Sequence, residues 1–268
     1  MELPIFQVDA FTDKPFKGNP AAVVILDSWL PDMVMQSIAQ ENNLSETAFI
    51  CPGKNFCQIR WFTPICEVEL CGHATLAAAH VIFEYLNPPS NKLTFSTQKA
   101  GNLHITKSND NWLEMDFPSY LILMIDMSSA LSKSLGHKPA KTFQAGPDIL
   151  AIYLSEKDIH NIKPDFQELS QINTRGVIIT AKANENSKEI DFVSRFFAPR
   201  IGVLEDPVTG SAHCALVPYW SDQLNKETVV GHQISSRGGI LKCKHRQNRV
   251  MISGQAICVI KGNLVFDL

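Results

Sequence analysis

The 268-residue chain has no excess of either charge, no long hydrophobic run and no paired cysteine motif. Each absence excludes a class of protein. Lys and Arg number 24 against 27 Asp and Glu, a formal net charge of -3, and no basic run offers the patch that a phosphate backbone requires, so nucleic acid is not an expected partner. The longest apolar runs, such as residues 121–125, are too short to span a bilayer, and no membrane partner is expected. Residues 1–6 lack a basic segment ahead of an apolar stretch, so no secretory signal is expected. The seven cysteines are odd in number and contain no C-x-x-C pair, which suits reduced thiols in a cytoplasmic protein better than a disulfide framework. Neither a G-x-x-x-x-G-K-[ST] loop nor a G-x-G-x-x-G turn occurs, so the phosphate-loop and dinucleotide fingerprints are both missing.

What is present is a composition able to build cores, 45% hydrophobic and 19% charged, in a chain long enough for two domains of roughly 130 residues each. The two halves look alike. Arg60-Trp61-Phe62-Thr63-Pro64 resembles Arg195-Phe196-Phe197-Ala198-Pro199, and each precedes a glycine that opens an alanine-rich apolar segment, Cys71-Gly72-His73-Ala74-Thr75 and Thr209-Gly210-Ser211-Ala212-His213. Gly101-Asn102-Leu103-His104-Ile105 faces Gly239-Ile240-Leu241-Lys242-Cys243, and Phe16-Lys17-Gly18-Asn19-Pro20 faces Phe143-Gln144-Ala145-Gly146-Pro147. Four matches in one order point to an internal duplication.

Strands are expected over 21–26, 46–51, 93–97, 103–106 and 112–116 in the first half and over 149–154 and 176–181 in the second. Helices are expected over 31–42, 75–85, 165–173 and 213–224. The resulting class is α+β, with two pseudo-symmetric domains, each a β-rich sheet or barrel around a central helix. The domains are expected at 1–118 and 119–268. Residues 119–139, which have no counterpart in the second half, are read as a linker, and the last strand is expected to pack back on the first domain.

Two glycine-opened helices related by pseudo-symmetry would point their free N–H groups at one interdomain cleft, which suits a small carboxylate. Each glycine can equally serve close helix packing. Several blocks in this region, Gly18-Asn19-Pro20-Ala21-Ala22-Val23, Asn43-Leu44-Ser45-Glu46-Thr47-Ala48-Phe49, Leu70-Cys71-Gly72-His73-Ala74-Thr75 and Glu205-Asp206-Pro207-Val208-Thr209-Gly210-Ser211-Ala212-His213, resemble the signature blocks of the phenazine-biosynthesis PhzF-like isomerases. That resemblance implies the diaminopimelate epimerase-like fold and a cofactor-independent isomerase in which Glu46 shuttles a proton. His73 and Asp206 would join Glu46 as catalytic groups, and Asn19, Ser45, Gly72, Thr209, Gly210 and Ser211 would contact the substrate. A homodimer and a biosynthetic role are expected from the resemblance alone.

Physical reasoning adds particulars. Burial near a cleft is expected to raise the Glu46 pKa toward neutrality, and the helix N-terminus is expected to keep His73 neutral. Related epimerases use two facing thiols, whereas here Cys71 has Thr209 at the pseudo-symmetric position, so a two-thiol mechanism is not expected and Cys71 is read as a small apolar neighbour. Glu46 has no acidic counterpart near Arg175-Gly176, which favours proton return to the same face. Cys71, His73, His213 and Cys214 sit at two helix starts and are of ligand type, but they converge only if the halves face each other closely, and no metal site is expected. The alternative function is a catalytically silent relative that binds a metabolite or a protein.

Overall fold

The structure is a computed structural model that describes residues 1–53, 56–108 and 110–267. It divides into two compact units, Met1–Asp116 with Ser253–Leu268, and Phe117–Ile252.

In the first unit β1 (Glu2–Ala10) pairs antiparallel with β2 (Asn19–Ile25). Helix α1 (Asp32–Asn42) then crosses over to β3 (Glu46–Pro52), which lies parallel to β2. Such a parallel pair requires a crossover of this kind. The helix buries Met35, Ile38 and Ala39 against Val24, Phe49 and Phe62, and ends at Asn43 in the left-handed region. Strand β4 (Cys57–Phe62) is antiparallel to β3 and to the short β5 (Glu67–Val68). Helix α2 (Gly72–Val81) follows, three residues longer at its start than its expected body, and runs into a π-helical turn over Ile82–Leu86. Strand β6 (Lys92–Ser96) is parallel to β4, β7 (Asn102–Lys107) antiparallel to β6, and β8 (Leu113–Pro118) antiparallel to β7.

The second unit begins with β9 (Ile122–Met124) and α3 (Ser129–Leu135) and then repeats the same course. Strand β10 (Lys141–Ala145) is antiparallel to β11 (Asp148–Ile152). Helices α4 (Glu156–Asn161) and α5 (Phe166–Ser170) lead to β12 (Val177–Lys182), parallel to β11. Strand β13 (Phe192–Phe197) is antiparallel to β12, and helix α6 (Gly210–Leu224) follows it. Strand β14 (Thr228–Gln233) is parallel to β13 and β15 (Gly239–Arg246) antiparallel to β14. The pairing sequence antiparallel, parallel, antiparallel, parallel, antiparallel therefore occurs twice, with the glycine-opened helices α2 and α6 in the same place. After β16 (Arg249–Gly254) the chain ends in β17 (Ala256–Val265), which pairs antiparallel with β1 along its whole length.

The repeated Arg-x-Phe-x-Pro motif has a structural purpose in both units. Arg60 is 6% exposed and donates to both oxygens of Glu67 at 2.7 Å and to Asp32 Oδ1, at the start of α1, at 2.8 Å. Arg195 donates to Glu205 at 2.7 and 3.0 Å and to the carbonyls of Ile162 and Ile159, at the end of α4, at 2.7 and 3.1 Å. Each arginine thus ties the crossover helix to the segment entering the next helix. Glu67 and Glu205 share the 138-residue offset of Gly72 and Gly210, a sequence signal that identifies both partners.

Residues 119–139, expected as a linker, are instead integral to the second unit. Leu131 and Leu135 of α3 lie in its core beside Ile149 and Val177. Pro218 inside α6 has no N–H for the Cys214 carbonyl four residues earlier, and Tyr120 N–H fills that place at 2.9 Å. Absence of a repeat counterpart meant an insertion with its own apolar face.

Helix α2 is enclosed, as its alanines require. Ala74, Ala77, Ala78 and Ala79 are fully buried, and the helix packs on β1, β2, β3 and β17. Gly18, in the turn before β2, sits at φ +64, where an added Cβ would lie 2.1 Å from the Ala10 carbonyl oxygen. Left-handed strain plus a clash with immovable backbone should make Gly18→Ala cost about 3 kcal/mol or more. A urea melt of that variant is expected to show the loss; unchanged stability would mean the turn is free to rearrange.

No helix among the described residues is long and apolar enough to cross a membrane.

Candidate active site

In the first unit, β3 and α2 bring together residues distant in sequence. Glu46 is the first residue of β3, pairing in register with Ala21 of β2, and Cys71 and Gly72 open α2. Thr75 steadies that opening, since both its N–H and its hydroxyl donate to the Cys71 carbonyl, at 3.1 and 2.6 Å. Glu46 Oε2 and His73 Nε2 are 3.1 Å apart, and Cys71 Sγ is 3.5 Å from His73 Nδ1. The side chains of Glu46 and His73 are 19% and 8% exposed. Their approach is close but poorly aligned, so Glu46 Oε2 and His73 Nε2 are both buried without a hydrogen-bond partner of good geometry. Two strong polar atoms are thus held in place with bonding capacity to spare.

The electrostatics correct two expectations. Burial is the largest single influence on the Glu46 carboxyl and pushes it up, but the charge of His73 and the hydrogen-bonding capacity of His73 and Cys71 together outweigh it, and the pKa is lowered rather than raised. Burial likewise pulls His73 down, yet neighbouring Cys71 and Glu46 hold it well above the ordinary imidazole value. Burial also raises the Cys71 thiol, which keeps it protonated, so Glu46 supplies the negative charge that acts on His73 near neutral pH. Both shifts run in the direction of a carboxylate beside an imidazolium. The helix N-terminus, expected to keep His73 neutral, contributes a partial charge that a full carboxylate at 3.1 Å overrides. Cys71, expected as an apolar neighbour, is a contact of the imidazole ring.

The pair's stabilisation should have a defined pH window. A raised His73 contributes fully below its ordinary value of 6.5 and is lost as pH climbs through its raised folded value. A lowered Glu46 contributes fully above its ordinary value of 4.5 and is lost as pH falls through its lowered folded value. The gap in melting temperature between wild type and Glu46→Gln is therefore expected to be widest between 4.5 and 6.5 and to shrink on both sides. A gap independent of pH would show that the two groups are not ionised together.

Asn19, fully buried, begins β2, and Ser45 immediately precedes β3. Among the described residues, Glu46, Cys71 and His73 are the group whose ligand atoms, all within 4.8 Å of one another, could surround a metal ion. A cation there would displace the His73 proton and require the Cys71 thiol to ionise against its burial.

In the second unit the segment before α6 is braced by a buried amide. Thr209 donates its hydroxyl to Asp206 Oδ2 and its N–H to Gln233 Oε1 at 2.9 Å, while Gln233 Nε2 donates to the Asp206 carbonyl at 2.8 Å and to Thr209 Oγ1 at 3.2 Å. His213, fully buried, lies with Nδ1 2.9 Å from the Thr209 carbonyl, an arrangement in which the ring must donate, and burial lowers its pKa to about 4. It is a neutral structural group. Thr209, opposite Cys71 in the repeat, thus has its hydroxyl fully engaged.

Ser211, the second residue of α6, accepts a 3.1 Å bond from Arg175 Nη2. Arg175 also grips Asp148 through Nε at 2.8 Å and through Nη2. Arg175, Asp148 and Gln233 carry no motif that marks them in the sequence. Arg175 was visible only as the start of a strand, and the one hint was that it adjoins the counterpart of Glu46. Strand registers place that counterpart at Gly176: Thr47 pairs with Phe62 as Val177 pairs with Phe197. A Cβ on Gly176 would lie 2.3 Å from the Phe196 ring, so no acidic side chain fits there.

The α+β fold recurs among solved structures of distant sequence. A solved structure of a probable proline racemase from Agrobacterium radiobacter shares it, with TM-score 0.63 at 11% identity over 99% of this chain and 93% of that one. The chain belongs to the phenazine biosynthesis-like protein family, which it matches over residues 8–262. It is 46% identical to an uncharacterized isomerase of Pseudomonas aeruginosa, over 98% of this chain and 99% of that protein. A crystal structure of a PhzF family protein from Enterococcus faecalis matches with TM-score 0.95 at 43% identity, covering 99% of this chain and all of the other.

Proposed function

We propose that the protein is a cofactor-independent isomerase that moves a proton on a small carboxylated substrate, with Glu46 as the proton-transferring group. The observation that carries this reading is the buried, imperfectly bonded pair of Glu46 and His73, whose free capacity is 3.1 Å apart. In the proposed step a Glu46 oxygen takes a proton from a carbon activated by the carboxylate or by conjugation. The C–H electrons move into the adjoining π system, and Glu46 returns the proton to another carbon on the same face. No oxidant or reductant is consumed.

A group already ionised at rest can accept a proton without first losing one, and substrate entry expels water and strengthens it as a base. His73, as imidazolium, offers Nε2–H to the charge that develops on the substrate, and the first amides of α2 at Gly72 add to it. Asp206 joins Glu46 and His73 as a catalytic group in this reading, and Asn19, Ser45, Gly72, Thr209, Gly210 and Ser211 form the binding set. The substrate is held between the two halves, an element that rests on the repeat and the family resemblance.

Incubating the protein in heavy water with a panel of small aromatic and unsaturated carboxylates is expected to place deuterium at a single carbon of the compounds it accepts. Binding without exchange across the panel would favour a silent binding protein instead.

A further inference from the structure

The guanidinium of Arg175 joins a fully buried acid to a residue at the mouth of α6. Asp148 is wholly inaccessible, and its two oxygens take Arg175 Nε and Nη2 side by side. That fork leaves the guanidinium no freedom to rotate, because its plane is set by the carboxylate. The flat Phe196 ring supports it from one side, 5.7 Å from the guanidinium carbon. The same Nη2 that closes the fork reaches Ser211 Oγ at 3.1 Å.

A serine hydroxyl has one hydrogen and two acceptor positions. Arg175 occupies an acceptor position, so the Ser211 hydrogen is turned away from the guanidinium, and the cation draws electron density from the oxygen and makes that hydrogen a better donor. The Ser211 hydroxyl donates to no group among the described residues. The Thr209 side chain is engaged with Asp206 and does not cap α6.

The geometry points to Arg175 as a positioning residue that sets Ser211 as a hydrogen-bond donor and gives the site its preference for a carboxylate over an uncharged carboxamide. This rests on the proposed role of Ser211 in holding substrate and adds a residue to it. Arg175 acts through Ser211 and through its charge, with Asp148 as its anchor. The repeat has no equivalent, since His73 stands opposite Ser211 and takes its charge from Glu46 instead. The two helix entrances thus differ in kind: one carries a proton-transfer pair, the other a fixed cation and hydroxyl.

The test uses the same carboxylates and their matching carboxamides, with binding followed by ligand-observed NMR and turnover by deuterium exchange. Arg175→Lys keeps a cation for Asp148 but cannot span both Asp148 and Ser211, whereas Arg175→Met would strand a buried carboxylate and endanger folding. In Arg175→Lys, carboxylate affinity is expected to fall roughly 10- to 100-fold, the equivalent of one charge-assisted hydrogen bond, while carboxamide affinity changes little. Ser211→Ala should reproduce most of that loss, and the double variant should be no worse than the poorer single one. For an exchanged substrate the effect should fall on KM more than on kcat. Additive losses, an unchanged preference in Arg175→Lys, or a wild-type protein that does not prefer carboxylates would each overturn the inference. Arg175-dependent carboxylate preference without any exchange would sustain it while removing the isomerase reading, and exchange indifferent to Arg175→Lys would do the reverse.

Discussion

Glu46→Gln is expected to lower deuterium incorporation into an accepted carboxylate by about 10²- to 10⁴-fold, the usual contribution of a positioned acid or base. Substrate binding should survive, because the amide keeps the shape of the carboxylate and loses only its ability to take a proton. The same variant makes a second change that needs no substrate. His73 is held high by its neighbours against burial, which alone would pull it down. Removing the Glu46 charge should therefore drop the His73 pKa, visible as a move of its titration midpoint toward lower pH in nitrogen-labelled histidine NMR. Retained exchange in Glu46→Gln would eliminate this residue as the base. An unmoved His73 would mean that the pair is not coupled as its 3.1 Å separation implies.

Arg60→Met is expected to be among the most damaging substitutions for stability. The side chain of Arg60 is 7% exposed, and its removal strands Glu67, which is one-third exposed at 33%, and frees Asp32, exposed at 74%. Breaking a fully enclosed pair costs about 3–5 kcal/mol, and solvent around the acids reduces the figure here to about 2–3 kcal/mol. The guanidinium also lies 5.2 Å from the Phe62 ring centre and 5.5 Å from that of Trp29, so packing is lost with the charge. Denaturant unfolding should show a lower midpoint with an unchanged slope, and a loss under 1 kcal/mol would assign the motif some purpose other than fastening α1 to the segment before α2.

Much of the architecture could be read from residue order. The two Arg-x-Phe-x-Pro strands, the glycines at 72 and 210 and the turns before β2 and β11 announced the duplication, because the same backbone course asks for the same residue types at the same places. The enclosed helix was readable from Ala74, Ala77, Ala78 and Ala79, whose small side chains suit close approach of a sheet. The second unit's additional segment is not legible in this way, since a stretch without a repeat partner has no copy to compare, and its docking depends on a carbonyl that Pro218 leaves open nearly 100 residues later.

The sequence by itself determined the duplicated plan and the family, both of which are written in local pattern and motif, and through that resemblance it put Glu46 forward as the candidate acid–base residue. Tertiary structure alone decided the chemistry those residues carry. Glu46 and His73 are 27 positions apart, Arg175 and Ser211 36 apart, and a charge is set by whatever lies within a few ångströms, not by its neighbours along the chain. That is why the carboxyl expected to be raised by burial is instead lowered beside His73, and why the contact of Arg175 with Ser211 is legible only once the strands are paired.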